Sequence, residues 1–283
     1  MSRTVFLIGH RLRHSISSVF QQAAFDHCHL DVRYENCETE LSQLETRIRS
    51  LRQPSTLGAN VTIPYKEKVV PLLDELDVLA ARIGAVNTVV NREGRLLGFN
   101  TDAPAFIRAL RQDAGFECHG KNAVVLGAGG VARAIGFALV QEGVRCLAVA
   151  NRTHERAEAL AAFLSGWCGD DTRVVTLPWE GLGYALSDYA LMVNCTSVGM
   201  RHSTTEGESP LEANAIQKGA LICDLVYNPE ETPLLKEARE AGALVLGGLA
   251  MLIYQGAASF ELWVEREAPL DIMFSRAREK SSS

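Results

Sequence analysis

The residues with the most chemistry to offer are the run Gly127-Ala128-Gly129-Gly130-Val131-Ala132, which follows the apolar Val124-Val125-Leu126 and opens a helical pattern. This is the G-x-G-x-x-A spacing of a dinucleotide-binding turn in the strand-to-helix context that the turn requires. Gly127 permits the tight bend, Gly129 lets backbone approach a pyrophosphate, and Ala132 keeps the helix close to the sheet. The free N–H groups at the helix start would face the phosphates. At the end of the next strand, where an acid on the ribose hydroxyls would indicate NAD, stand Asn151, Arg152 and Thr153, with Arg156 four residues beyond Arg152. Two guanidiniums and a hydroxyl suit a phosphate on the ribose 2′ oxygen, because Arg offers planar, bidentate donors, and the cofactor is therefore read as NADP. Ordinary surface arginines at a helix start are the alternative.

Ser15 and Ser17 lie two residues apart, so on an extended chain both hydroxyls face one side and can donate to a carboxylate. The same spacing fits two serines capping a helix that starts near Ser17. Lys66 directly follows "NVTIPY" and opens a stretch read as a helix; taken alone it is a solvated lysine. Asp102 alone reads as the N-cap of "APAFIRAL".

The elements that must position these residues alternate. "TVFLIG" reads as a buried strand, 17–27 as a helix, "DVRYEN" as a strand, "ETELSQLETRIRSL" as a helix, "LGANV" as a strand and "YKEKVVPLLDEL" as a helix interrupted by Pro71. "AVNTVVN" and "RLLGFN" flank Arg92-Glu93-Gly94 as a hairpin, and "TDAPAFIRALRQDAG" reads as a connecting helix. From residue 122 strands and helices alternate again up to "ALVLGG", and residues 249–266 return to the first domain. The fold class is α/β in two domains joined by helices: a substrate domain of residues 1–102 plus 247–283, and a Rossmann-type NADP-binding domain of residues 103–246. Two domains also suit 283 residues, since single cores stop growing near about 250.

Composition narrows the function class. A hydrophobic share of 47% with 22% charged residues is that of a soluble globular chain, with disorder expected only in the "REKSSS" tail. The net charge is −6 and no block of like charges occurs, which disfavours nucleic acid and acidic membranes and leaves a small molecule as the partner. The sequence shows no secretory signal and no membrane span, so a cytoplasmic location is expected. Seven scattered cysteines without a C-x-x-C pair read as reduced thiols. "DHCHL" lacks a second ligand group at chelating spacing, so no metal is expected.

Along nearly its whole length the chain resembles the shikimate dehydrogenases. The matching stretches are "HSIS" (14–17), "NVTIPYK" (60–66), "GAVNT" (84–88), "GFNTD" (98–102), "GAGGVARA" (127–134), "NRT" (151–153), "NCTSVGM" (194–200), and "DLVYNPEETPLL" through "GGLAMLIYQG". Only the glycine loop among them is generic. The resemblance implies a substrate domain built from both chain ends, an NADP domain between, an active site in the cleft, and reduction of 3-dehydroshikimate to shikimate on the route to chorismate and the aromatic amino acids. It implies that Lys66 and Asp102 stand together at the reacting carbon, where a lysine beside a carboxylate can supply the alkoxide's proton and stabilise its charge. It assigns Ser15 and Ser17 to the substrate carboxylate, and Asn60, Thr62, Asn87, Tyr227 and Gln255 to further substrate contacts. Thr196 with Ser197, Met200 and Gly248 match positions near the nicotinamide, whereas Met251 reads as packing.

The family pattern G-x-P-x-x-H-S-x-S-P-x-x-H-N is altered here. Arg11 and Ser18 replace its prolines, Gln21 and Gln22 its His-Asn pair, and Ala103 and Ala105 stand where glycines are usual after the aspartate. These changes bear on substrate choice, so a quinate or aminoshikimate dehydrogenase stays open, as does a silent NADP-binding regulator on the same fold. A monomer or a homodimer is expected.

Overall fold

The computed structural model describes residues 2–281 apart from Arg11, His14 and Gly181; the replaced proline at Arg11 and the first residue of "HSIS" therefore lie outside the described residues. The first apolar run forms β1 (Arg3–Gly9), followed by α1 (Ser17–His27), β2 (Val32–Glu38), α2 (Leu44–Ser50) and β3 (Thr56–Val61). β1 pairs with β2 and β3 in parallel, so it is covered on both edges. Next come β4 (Glu75–Leu76), α3 (Val78–Ile83), β5 (Thr88–Arg92) and β6 (Arg95–Phe99). β5 and β6 are antiparallel and joined by Glu93 and Gly94, both at positive φ, the two-residue loop whose twist matches the strands it connects. The six strands lie in the order β2-β1-β3-β5-β6-β4 over a core that includes Ile8, Ala59, Val61, Tyr65, Val89 and Leu96.

Then follow α4 (Asp102–Gln112), β7 (Asn122–Leu126), α5 (Gly130–Gln141), β8 (Cys146–Ala150), α6 (His154–Ser165), β9 (Arg173–Leu177), β10 (Leu191–Asn194), β11 (Leu221–Asp224), α7 (Pro233–Glu240) and β12 (Leu244–Gly247). β7 to β12 form a wholly parallel sheet in the order β12-β11-β10-β7-β8-β9. That is the doubly wound Rossmann order, and it reverses between β7 and β10, where such sheets bind ligands beyond the strands' carboxyl ends. Every residue of β7 and β8 is buried, as a sheet covered on both faces demands. The chain closes with α8 (Leu249–Val264) and α9 (Leu270–Ser281).

Two compact units result: Met1–Ala105 with Ile253–Ser283, and Phe106–Leu252. The sequence reading put the limits at 102 and 247. Both divisions of the structure fall inside helices, α4 and α8, so composition offers no linker to mark them.

Some local expectations are corrected. Residues 65–76 form no α-helix but a run of turns, a short 3₁₀ segment at Val70–Leu72, and β4. Pro71 has no N–H to donate, and the Lys66 carbonyl, which a helix would reserve for residue 70, accepts instead from Val86 N–H at 2.8 Å. The helix expected over 38–51 starts later: Glu38 ends β2, and a 3₁₀ turn at Leu41–Gln43 precedes α2. The "REKSSS" tail begins within α9. Among the described residues no helix is long and apolar enough to cross a membrane, and no cluster of His, Cys, Asp and Glu is arranged to hold a metal ion.

Candidate active site

Lys66 is placed by its neighbours' backbone bonds. Thr62 N–H donates to Ile8 C=O at 2.9 Å, Tyr65 N–H to Thr62 C=O at 2.9 Å, and the buried Tyr65 hydroxyl to Thr39 C=O at 2.7 Å. With its carbonyl also held by Val86, the lysine leaves the sheet in a fixed direction. Its Nζ lies 2.7 Å from Asp102 Oδ2, with side-chain exposures of 13% and 4%. That excludes the solvated-lysine reading: an ammonium so little exposed needs a charge partner, and here it has one.

Asp102 is free to make this bond because another residue caps α4. Asn100 Oδ1 accepts the N–H groups of Asp102 (3.1 Å) and Ala103 (3.2 Å), while Asn100 Nδ2 donates to Ala85 C=O at 2.9 Å. The cap expected of Asp102 is thus corrected to Asn100, two residues earlier. Asp102 Oδ1 receives Asn87 Nδ2 at 3.1 Å. Thr101 N–H donates to Asn87 Oδ1 at 2.7 Å, and a backbone N–H can only donate, so the Asn87 amide is oriented with its NH₂ toward Asp102, Thr101 Oγ1 and Gln255 Oε1. The network continues through Thr88, Thr101 and Ser259. Ser259 Oγ donates to Gln255 C=O at 2.9 Å and lies 2.6 Å from Thr88 Oγ1. Asn60 donates to Ser259 Oγ at 3.0 Å and accepts from Tyr34 OH at 2.8 Å.

Lys66, Asp102, Asn87, Gln255 and Asn60 are therefore joined in one network within the first unit. Asn60 and Asn87 are buried and hold the framework, whereas Lys66 and Gln255 are half-buried. Ser15 and Ser17 sit at the start of α1, where Ser17 N–H meets Ser15 Oγ at 3.3 Å. Ile16 between them has φ −91° and ψ 0°, so the chain is not extended there and the same-side argument from alternation does not apply. Thr62 is half-buried one residue beyond β3. Tyr227, half-buried beyond β11, belongs to the second unit. The altered loop residues turn into the scaffold: Gln21 Nε2 donates to Gly256 C=O at 2.8 Å, and Gln22 bridges α1 to β2, donating to Val32 C=O at 3.0 Å and accepting Tyr34 N–H at 2.9 Å.

In the second unit Gly127 has φ +111°, and a Cβ there would come within 3.3 Å of the Cys195 backbone, so both conformation and space call for glycine. A Cβ on Gly129 would meet nothing within 4 Å, and α5 begins there without a side-chain cap. An open glycine before uncapped helical N–H groups is a cradle that a pyrophosphate fits. Ala128, Gly130 and Val131 are half-buried along the turn and Ala132 is buried beneath it. Arg156 Nη2 donates to Ala128 C=O at 3.2 Å, which brings α6's arginine beside the glycine turn. Asn151 Nδ2 donates to Thr153 C=O at 2.8 Å and shapes the turn that leaves Arg152 and Thr153 exposed. No acid stands among the three residues that directly follow β8, and Arg152, Thr153 and Arg156 fit a 2′-phosphate.

At the ends of β10 and β11 a third arrangement appears. Asn194 Oδ1 accepts Thr196 N–H (3.0 Å) and Thr196 Oγ1–H (2.6 Å), and Asn194 Nδ2 donates to Asp224 Oδ1 at 2.9 Å. Asp224 also accepts Val226 N–H at 3.0 Å and the Thr232 hydroxyl at 2.6 Å. Burial pushes the Asp224 carboxyl up to about 6, against the opposing pull of those hydrogen bonds. Met200 is exposed beyond this loop, and a Cβ on Gly248 would lie 2.4 Å from Leu225 O, so only glycine admits that approach.

Family models match three stretches: the shikimate dehydrogenase substrate binding domain over residues 7–89, shikimate/quinate 5-dehydrogenase over 109–225, and the shikimate 5′-dehydrogenase C-terminal domain over 248–273. The shikimate dehydrogenase (NADP(+)) of Methanopyrus kandleri is 44% identical over 96% of this chain and 93% of its own length. The chain belongs to the shikimate dehydrogenase family. Among solved structures, shikimate 5-dehydrogenase from Thermus thermophilus in complex with NADP(H) and shikimate aligns with TM-score 0.86 at 38% identity, covering 98% of this chain and 99% of that one. Quinate dehydrogenase from Corynebacterium glutamicum in complex with NAD aligns with TM-score 0.89 at 31% identity, over 98% and 99%.

Within this family member, sequence reading missed Asn100, Ser259 and the Asn194–Asp224–Thr232 chain. Asn100 was signalled by an Asx residue just ahead of a helical run. Ser259 follows Gln255 by one helical turn, which placed it on the same face. Nothing local announces the Asn194–Asp224 bond, which spans 30 residues and depends on β10 and β11 being neighbours in register.

Proposed function

We propose that this chain catalyses the NADP-dependent, reversible reduction of 3-dehydroshikimate to shikimate, with Lys66 and Asp102 as its acid–base pair. The observation that carries this reading is the 2.7 Å contact between the half-buried Lys66 ammonium and the buried Asp102 carboxylate, braced by Asn87. NADP bound at the glycine turn supplies or accepts the hydride. The chain's own residues do the rest. Lys66 donates a proton to the developing alkoxide and balances its charge, and Asp102 holds the ammonium and accepts a hydrogen bond from the substrate hydroxyl. Asn87 fixes Asp102, and Gln255 and Thr62 offer neutral polar groups to a hydroxylated ring. Ser15 and Ser17 donate to its carboxylate. Arg152, Thr153 and Arg156 hold the 2′-phosphate of the cofactor.

Quinate as substrate is favoured by one observation, the likeness to the Corynebacterium glutamicum quinate dehydrogenase. The altered α1 residues do not argue for it, since Gln21 and Gln22 are tied to Gly256 and β2. Absorbance at the nicotinamide band, with shikimate, quinate and aminoshikimate each tried against NADP and NAD, tests both readings. Fastest turnover is expected with shikimate and NADP. Turnover of quinate alone selects the second reading, and no turnover with any pair leaves a silent NADP-binding protein.

A further inference from the structure

We propose that Asp224 is a positioning residue for the reactive end of the cofactor, holding the loops that follow β10 and β11 in one arrangement. The proposal rests on the reading of Thr196, Met200 and Gly248 as contacts at that end.

Asp224 is fully buried, contributes no surface and is not part of the acid–base pair. Its two oxygens nevertheless gather separate pieces of chain. Oδ1 takes the Asn194 amide and Val226 N–H, which binds the end of β10 to the loop that runs on to Tyr227. Oδ2 takes the Thr232 hydroxyl, whose oxygen also accepts Leu235 N–H and so caps α7. Asn194 in turn orders the next loop: its Oδ1 accepts Thr196 N–H and the Thr196 hydroxyl, and Thr196 Oγ1 accepts Val198 N–H at 3.1 Å. A Cβ on Gly199 would lie 3.8 Å from Thr232 Cβ, and Arg201 N–H donates to Asn228 C=O at 2.8 Å, so the two loops also touch farther along. Gly248 rests against Leu225. The contacts assigned to the nicotinamide end thus hang on loops that one buried carboxylate links, whereas Arg152 and Arg156 follow β8, two strands away from β10 in the sheet. A buried polar group joined to several partners fixes its surroundings only while every member is satisfied. Removing the acceptor frees both loops at once.

The test separates the two ends of the cofactor. Adenosine 2′,5′-bisphosphate probes the phosphate end alone, and NADPH probes both ends. In Asp224→Ala the NADPH dissociation constant should rise about tenfold or more and kcat should fall by a similar factor, while the bisphosphate affinity stays within about twofold. Asp224→Asn keeps an acceptor for Asn194 and Val226 and should recover most of the NADPH affinity. An unchanged NADPH affinity, or equal losses for both probes, overturns the proposal. If Asp224→Ala does not fold, Thr232→Val, which deletes one donor at constant shape, should still weaken NADPH binding severalfold and spare the bisphosphate; no selective effect there also overturns it. A wild-type protein that binds NADPH but does not turn over shikimate removes the activity reading while leaving this one in force.

Discussion

Asp102 and Asp224 are both buried aspartates, and they meet the cost of burial in opposite ways. Asp102 has the Lys66 ammonium at 2.7 Å on one oxygen and an amide on the other. The donors that reach Asp224 are an amide, a backbone N–H and a hydroxyl, all neutral. Neutral donors lower a carboxyl's pKa, but here burial raises it by more, so Asp224 stands at about 6. A carboxylate paired with a cation can act on the charge of a reacting group. One held by neutral donors can fix backbone, and it keeps its proton into mildly acidic solution.

The sharpest break in this comparison is made at the cation. Lys66→Met keeps length but removes charge and donors; kcat should fall by roughly 10² to 10⁴ with NADP binding intact. Asp102→Asn should be comparably damaging, and the double variant should lose far less than the product of the two, because groups acting as a unit are not additive. Near-normal kcat in Lys66→Met would show that the proton comes from elsewhere.

Asp224 should reveal itself through pH and stability. Its native pKa of about 6 exceeds the ordinary 3.8, so between those values the folded state holds a proton that the unfolded state has released. The stability from this group is complete below about pH 4 and is lost as pH rises through 6. Unfolding measured against Asp224→Asn, which cannot titrate, should show the wild type losing ground to the variant by up to about 3 kcal/mol between pH 4 and pH 7. A constant difference across that range would mean that Asp224 titrates normally.

Charge recognition at the phosphate end extends the contrast to exposed groups. NADP should be preferred over NAD by roughly a hundredfold in kcat/KM, since a charge-assisted hydrogen bond contributes about 1.5 to 3 kcal/mol. Equal efficiency with NAD removes the role given to Arg152 and Arg156. The smallest effect is expected at the cap that frees Asp102. Asn100→Ala should cost about 1 kcal/mol of stability and lower kcat severalfold, while Asn100→Asp, which keeps the acceptor, should recover most of both.

What could be read in advance follows from how local the cause is. The turn at Gly127 was legible because its backbone and the Cys195 contact admit only glycine, and the hairpin because Gly94 stands between two apolar runs, although Arg92, read as part of the turn, ends β5 and leaves Glu93-Gly94 as the loop. α3 carried signals as clear, with Asp77 accepting Leu79 and Ala80 N–H and Gly84 closing the helix, but its six residues show too little periodicity to stand out. The helix read after Lys66 failed because its carbonyl is claimed by Val86, a tertiary bond invisible to a local pattern. Lys66 and Asp102 were paired through resemblance alone, and nothing in their spacing brings them together. Asp224 was out of reach altogether, since its partners become neighbours only once the strand order is known.

The helix α8 has a bearing on how the molecule is made. Its Gln255 and Ser259 bond Asn87, Thr88 and Asn60, and Trp263 Nε1 donates to Val89 C=O at 2.9 Å. During synthesis the N-terminal strands emerge first, yet these partners arrive only after the whole of the second unit has left the ribosome. Until then the buried amides and hydroxyls of the first sheet have no complete set of hydrogen bonds. The middle of the chain can finish folding while the beginning waits for the end.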